Sequence, residues 1–282
     1  MESTPLPLPA AAPPAATAPA RATVERILAI HRWTDRLLSF RCTRDPALHF
    51  VPGLYARLGL GDGRGEGDVA GAPGMLWRPF SMVSAPDEPA LEFVATLVEG
   101  GAFSERLARC TVGDPIGVET AAFGFLTLAQ LAAGRDLWLL ASGTGLGPFV
   151  SMLRDERAWR SFEHIVLVHS VRRAADLAYR DEILALAAAR PAPGTPARAV
   201  LRYLPVVTRE AVPGALGERI PALLQDGRLE AEAGLTLEAG QARAMVCGHP
   251  ELTVAMRAAL TQRGFRTSRR GVPGQMAFEK YW

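Results

Sequence analysis

The chain has 282 residues, 49% hydrophobic and 21% charged, with a formal net charge of +2. This composition supplies a core for one large domain or two ordinary ones, and excludes wholesale disorder, a collagen-like repeat and a coiled coil. The near-neutral charge gives no bulk attraction to nucleic acid or to a membrane, and three scattered cysteines (Cys42, Cys110, Cys247) make no disulfide framework, zinc site or four-thiolate iron–sulfur set.

Residues 1–20 hold six prolines and seven alanines, with Glu2 as the only charge, and read as a disordered tail. They lack the basic start and continuous apolar stretch of a secretory signal. From Thr23 to about Leu128 the pattern is short strands and turns. Val24–His31, Leu37–Arg41 and Leu91–Val98 are strand-like, with turns at Glu99-Gly100-Gly101 and Val112-Gly113-Asp114-Pro115. Such spacing favours a small barrel or sandwich. Seven glycines between Gly59 and Gly74 mark a mobile surface loop.

From Leu131 strands alternate with helices. Asp136–Ala141, His164–His169, Leu201–Val207 and Ala244–Cys247 are expected strands. Helices are expected from Gly147 to Leu153, Ala174 to Ala189, Leu216 to Leu224 and Pro250 to Arg263. That alternation implies a mostly parallel sheet. The uncharged run Leu137–Leu153 is too short and too glycine-broken for a membrane span, and fits a buried strand entering a helix. The expected organisation is a tail (1–20), a β domain (21–130) and an α/β domain (131–282), in a cytoplasmic protein.

Between the strand at Asp136–Ala141 and the next helix stand Gly143, Gly145 and Gly147. Glycines let the backbone turn tightly and let a ligand approach it, and a helix start offers free N–H groups to phosphate. The spacing is neither GxGxxG nor a P-loop, and tight strand–helix packing would require the same turn. Arg172, Arg209 and Arg219 fall beyond expected strand ends, where a parallel sheet places its ligand crevice. Their guanidinium forks suit a phosphate, and equally suit a solvated surface. In the first half, Arg78-Pro79-Phe80-Ser81-Met82-Val83-Ser84 offers a cation, an aromatic face and two hydroxyls. As a strand it would put Arg78, Phe80 and Met82 on one face, Ser81 and Val83 on the other.

Arg78-Pro-Phe-Ser81 resembles the Arg-x-Tyr-Ser flavin motif of ferredoxin–NADP reductases. Ala141-Ser-Gly-Thr-Gly-Leu-Gly-Pro-Phe149 resembles their nicotinamide-side turn. Val168-His-Ser-Val-Arg172, Asp176-Leu-Ala-Tyr179, Val207-Thr-Arg-Glu210 and Gly217-Glu-Arg-Ile220 follow in matching order. Cys247-Gly-His-Pro250 and the ending Phe278-Glu-Lys-Tyr-Trp282 are similar to the bacterial branch, which acts with ferredoxin or flavodoxin. The resemblance spans about residues 23–282.

The resemblance implies an antiparallel FAD-binding barrel followed by an NADP-binding α/β domain, with hydride passing between nicotinamide C4 and flavin N5. It implies that Arg78 binds the FAD pyrophosphate, Phe80 stacks on the flavin and Ser81 lies near N5. Ser104 would meet the pyrophosphate at a helix start, although serine is also a good N-cap. Thr144 would contact the nicotinamide, with Cys247 beside it. Arg172, Arg209 and Arg219 would hold the 2′-phosphate of NADP(H), and Trp282 would cover the flavin as a lid. Ser81, Cys247 and Trp282 are thus the implied catalytic residues, and no metal is expected. Phe80 departs from the family tyrosine and loses one hydroxyl, and the loop Gly59–Gly74 is longer than usual. The implied partners are NADPH and an acidic ferredoxin or flavodoxin, for which Arg263, Arg266, Arg269 and Arg270 offer a basic face. Neither nucleic acid nor a membrane is an expected partner. Alternative readings are the reductase component of an oxygenase, a reductase of free flavin or small acceptors, and a non-catalytic flavin-binding regulatory protein.

Overall fold

Two sheets organise the computed structural model, which describes residues 21–62, 74–189 and 199–281. The expectations for the tail 1–20, for most of the glycine loop (63–73) and for Trp282 lie outside the described residues.

The first sheet is antiparallel. Its strands are β1 (Ala22–Arg32), β2 (Leu37–Cys42), β3 (Tyr55–Leu60), β4 (Leu76–Ser81), β5 (Leu91–Thr96) and β6 (Pro115–Glu119), with helix α1 (Ala102–Arg109) after β5. The order is β4-β3-β6-β1-β2-β5. The two end strands approach each other where Val83 N–H donates to the Glu92 carbonyl at 2.8 Å, so the sheet nearly closes into a barrel. Its interior is filled by Ile27, Phe40, Leu58, Leu91 and Phe93. Each such side chain, fully buried, contributes about 1.5–3 kcal/mol.

The second sheet is parallel, in the order β11-β10-β7-β8-β9. Its strands are β7 (Asp136–Ser142), β8 (His164–Val171), β9 (Val200–Val207), β10 (Ala242–Gly248) and β11 (Met276–Lys280). Helices α2 (Gly147–Arg154), α3 (Glu156–Ser161) and α4 (Arg180–Ala188) precede β9; α5 (Ile220–Gln225), α6 (Arg228–Ala233) and α7 (Pro250–Gln262) follow it. Strand β7 is apolar on both faces because both are covered. Leu137, Leu139 and Ala141 pack on Phe149, Met152 and Ile183, whereas Trp138 and Leu140 pack with Leu223, Leu229 and Met256. The first of these cores also takes in Leu37, Val83 and Val94 from the barrel, so the two sheets share apolar contacts.

Two expected helices change. The stretch Ala174–Ala189 is a 3₁₀ turn at Ala174–Asp176 followed by α4, interrupted by Tyr179 in the left-handed region (φ 59°). The helix expected from Leu216 begins at Ile220, because Leu216 hydrogen-bonds along β9, to Pro205 and Val207. Gly214, at φ 74°, turns the chain just before it. Strands β3 and β11 and helices α3 and α6 were absent from the sequence reading.

Strand order reverses between β7 and β10. This switch point is where α/β sheets bind ligands, at the carboxyl ends of the strands. It places the glycine turn after β7 beside Cys247-Gly248 at the end of β10.

Candidate active site

Strand β4 carries the flavin-like motif on the sheet's edge, which explains how Pro79 is accommodated: an edge strand need not donate on both sides. Arg78 and Phe80 are half-buried and Ser81 is buried. Phe80 and Met82 pack with the barrel core, Val83 packs with the core shared by both sheets, and Ser81 turns to β11, matching the expected faces. The Phe80 ring lies 5.3 Å from that of Phe103 in α1. The Arg78 guanidinium bonds the Trp77 carbonyl (2.8 Å), with no carboxylate partner among the described residues. Helix α1 starts at Gly101 without a side-chain cap. Ser104 is not the N-cap; it sits inside the first turn, its Oγ accepting from Val98 N–H at 3.0 Å. A cation without a carboxylate partner among the described residues, an uncapped helix start and a half-buried aromatic ring are features suited to a pyrophosphate attached to a planar ring system. Arg106 fastens both ends of the glycine loop, donating to the Leu60 (2.7 Å) and Gly74 (2.8 Å) carbonyls.

Ser81 is joined to the second sheet by Glu279 of β11. Ser81 Oγ–H donates to Glu279 Oε1 at 3.1 Å. Burial pushes the Glu279 carboxyl up to about 7, partly opposed by the bond from Ser81. The Tyr281 side chain shares hydrogen bonds with both Ser81 and Cys247, and Tyr281 N–H donates to the Gly248 carbonyl at 3.0 Å. Cys247 is fully buried, and burial, with Glu279 beside it, raises its thiol well above the usual range, which favours the protonated form.

The glycine turn lies against this cluster. A Cβ added at Gly145 would stand 2.3 Å from the Cys247 carbonyl oxygen, so close packing requires that glycine. Gly143 has φ 54° and nothing within 4 Å of its missing side chain, leaving its surroundings open. Thr144 is buried in the turn, its carbonyl accepting from Gly147 N–H. Below it, His169 of β8 donates through Nε2 to the Gly143 carbonyl at 3.2 Å. Complete burial lowers His169 to about 4, which keeps the ring neutral at pH 7, and the carbonyl acceptor requires its proton on Nε2.

Arg172 and Arg209 follow the ends of neighbouring strands, and Arg209 N–H donates to the Arg172 carbonyl at 3.0 Å. Arg219 begins α5 and faces Glu251 of α7 at 3.3 Å, with both side chains exposed (79% and 71%). Of the basic face, Arg266, Arg269 and Arg270 are exposed. Arg263 is committed internally, to Glu230 (2.9 Å) and the Leu224 carbonyl (3.1 Å).

Sequence reasoning missed Glu279, Tyr281 and His169 as site residues. Glu279 carried a signal, as the single acid in an otherwise non-acidic terminal strand. His169 sits in an apolar strand where histidine is conspicuous. No group of three or more His, Cys, Asp or Glu suited to a metal occurs among the described residues. No helix among them is long and apolar enough to cross a membrane.

Residues 139–258 match the family model for the oxidoreductase NAD-binding domain. The chain is 40% identical to ferredoxin–NADP reductase A of Sorangium cellulosum, over 92% of this chain and 89% of that one. It is 34% identical to the ferredoxin–NADP reductase of Azotobacter vinelandii, covering 91% and 96%. With the flavodoxin/ferredoxin–NADP reductase of Escherichia coli it shares 35% identity, covering 80% and 85%. Among solved structures, a ferredoxin NADP+ reductase from Neisseria gonorrhoeae with bound FAD and NADP superposes with a TM-score of 0.83 at 32% identity, covering 93% of this chain and 100% of that one. Sequence and fold agree, and the chain belongs to the bacterial ferredoxin/flavodoxin–NADP reductase family.

Proposed function

We propose that the protein exchanges electrons between NADP(H) and a ferredoxin or flavodoxin through bound FAD. The observation that carries this reading is the meeting of the two sheets at one cluster. Ser81 from the flavin-like motif, Glu279 and Tyr281 from the chain's end, and Cys247 beside the glycine turn are linked by hydrogen bonds. Bound FAD supplies hydride exchange with nicotinamide and one-electron exchange with a carrier.

The protein's part is to bind, orient and exclude water. In this reading Arg78 and the start of α1, with Ser104, hold the pyrophosphate. Phe80 supplies the ring face, and the hydroxyl lost relative to the family tyrosine costs a hydrogen bond without removing the stack. The Glu279 carboxyl, with Ser81 donating to its Oε1, holds or releases a proton near neutral pH. Thr144 and the open backbone at Gly143 receive the nicotinamide, Arg172, Arg209 and Arg219 receive the 2′-phosphate, and Trp282, next to Tyr281, is the lid. We assign residues 21–130 to the FAD unit and 131–282 to the NADP unit. Supporting the place of Ala132 in the second unit, its N–H donates to the Gly274 carbonyl, just ahead of β11, at 2.8 Å. Three thiols free of disulfides support a cytoplasmic setting, and Arg266, Arg269 and Arg270 offer the carrier a basic face.

The test is an anaerobic titration with NADPH and, separately, NADH, followed through the flavin band. Rapid bleaching by NADPH and poor bleaching by NADH is the expected result; absence of a flavin band after addition of FAD would refute the reading. Carrier reduction should slow as salt rises. Charge-assisted hydrogen bonds are each worth about 1.5–3 kcal/mol. Arg172→Ala and Arg209→Ala are therefore each expected to raise KM for NADPH about 10- to 100-fold, with KM for NADH unchanged. Equal loss for both nucleotides would remove these arginines from the 2′-phosphate site.

A further inference from the structure

We propose that Arg154, Glu92, Tyr179 and Glu182 form a positioning clamp that fixes the nicotinamide turn relative to the flavin motif. The proposal rests on the functional reading above.

Helix α2 carries the clamp. Its first residue, Gly147, completes the glycine turn, and its last, Arg154, reaches the barrel. The Arg154 side chain is 18% exposed. Its Nε and Nη2 form a fork on Glu182 of α4 (2.7 and 2.9 Å). Its Nη1 donates to Glu92 of β5 (2.8 Å) and to the Val83 carbonyl (3.3 Å), two residues beyond Ser81. Tyr179 O–H donates to the other Glu92 oxygen at 2.7 Å. Glu92 therefore receives both donors of the nucleotide-binding half on one carboxylate of the flavin half.

Two further observations show that α2 is seated along its length. Buried Ser151 donates to the Ser84 carbonyl at 2.7 Å. At the other end, a Cβ on Gly147 would come within 3.3 Å of Val83 and Val94. Tyr179 is also the one non-glycine residue among those described with positive φ. A bulky side chain in that region is strained, and such strain persists where surrounding contacts over-determine it. Here those contacts include the bond to Glu92, the Trp33 ring 5.0 Å away and the Arg154 guanidinium 5.6 Å from the Tyr179 ring centroid.

None of the four residues belongs to the cofactor-binding set. Hydride transfer requires reacting atoms about 3–3.5 Å apart, and a misplacement of about 1 Å costs about 100-fold. Loosening the clamp should therefore lower the rate of hydride transfer and spare nucleotide affinity.

Arg154→Ala would strand two carboxylates and risks misfolding, so shape-conserving Glu92→Gln and Tyr179→Phe are the informative variants. In the FAD-loaded protein, Glu92→Gln is expected to slow flavin reduction by NADPH about 10- to 100-fold with KM within about twofold, because Glu92 positions the turn and lies outside the proposed nucleotide-binding set. Its deuterium isotope effect with 4-deuterated NADPH should grow. Tyr179→Phe should give a smaller loss that is not additive with the first, since both act through one carboxylate. Amide hydrogen exchange over residues 147–154 should accelerate in both variants. A lowered melting temperature with an unchanged hydride rate would overturn the clamp, as would a rise in KM matching the fall in kcat. If the parent protein itself is not bleached by NADPH, the functional reading falls, and unchanged exchange in α2 would then overturn the clamp separately.

Discussion

Glu279→Gln is expected to stabilise the protein at pH 8 and to leave its stability at pH 4 unchanged. The Glu279 carboxyl is raised from 4.5 to about 7 by burial. Below pH 4.5 the group is protonated in both folded and unfolded chains and adds no penalty. Between 4.5 and 7 the unfolded chain releases the proton while the folded chain retains it, so stability falls as pH rises. Above 7 the folded chain also carries the buried charge, and the penalty is complete. At about 1.4 kcal/mol per unit, it amounts to about 3 kcal/mol. Glutamine keeps an oxygen for Ser81 and carries no charge, so urea unfolding should show the variant gaining stability through that window and levelling off above it. In the proposed reading, the same substitution also removes the carboxyl that would exchange a proton beside Ser81. Loss of a positioned acid–base group costs about 100- to 10,000-fold where proton transfer limits the rate. Carrier reduction should therefore slow, and its pH dependence near 7 should flatten. A stability gain equal at pH 4 and pH 8 would show that Glu279 is not held protonated by burial.

The architecture was legible because its signals are local. Strand β7 is an unbroken apolar run, and the alternation of strands and helices after it dictates a parallel sheet. The barrel strands β1, β2 and β5 carried β-type residues between turns. Strand β3 was hidden by the glycine near its end and by the glycine-rich stretch of sequence that follows it. The helix expected at Ala174–Ala189 failed for a tertiary reason: helix propensity runs through Tyr179, but the bond from its hydroxyl to Glu92 draws that residue into the left-handed region. The glycine turn was visible, and the packing explanation holds at Gly145, while the space at Gly143 is what the proposed ligand approach requires.

The site was legible one residue at a time and obscure as an assembly. Arg78, Phe80 and Ser81 sit in one short motif, but what joins Ser81 to the other sheet is Glu279, nearly two hundred residues away. Only the parallel register of β10 with β11, pairing Cys247 with Glu279, brings them together. Spacing in sequence holds no trace of that pairing. Likewise the three arginines looked equivalent as residues past strand ends. The fold joins Arg172 to Arg209 through their backbones and gives Arg219 a carboxylate of its own.

The two glycines of the turn should fail in different ways. A methyl group at Gly145 would collide with the Cys247 carbonyl oxygen at 2.3 Å, its carbon at 2.6 Å and Gly248 Cα at 2.8 Å, all backbone atoms. No side-chain rotation relieves such a contact, so either the turn or β10 must move. Overpacking of this kind costs about 1–3 kcal/mol, and Gly145→Ala should fall at the upper end. For a chain of this size that lowers the melting temperature by about 2–4 °C per kcal/mol. Because the displaced partner is the Cys247 segment, KM for NADPH should rise while FAD stays bound. At Gly143 space is available and the cost is conformational, about 1–2 kcal/mol for an L-residue held at φ 54°. Asparagine tolerates that region better than alanine, so Gly143→Asn should recover part of the loss seen in Gly143→Ala. No such rescue is expected at Gly145, where the obstacle is the Cβ that asparagine and alanine share. Melting temperatures of the four variants separate the two causes, and an equal rescue by asparagine at both positions would mean that the turn does not rest on Cys247.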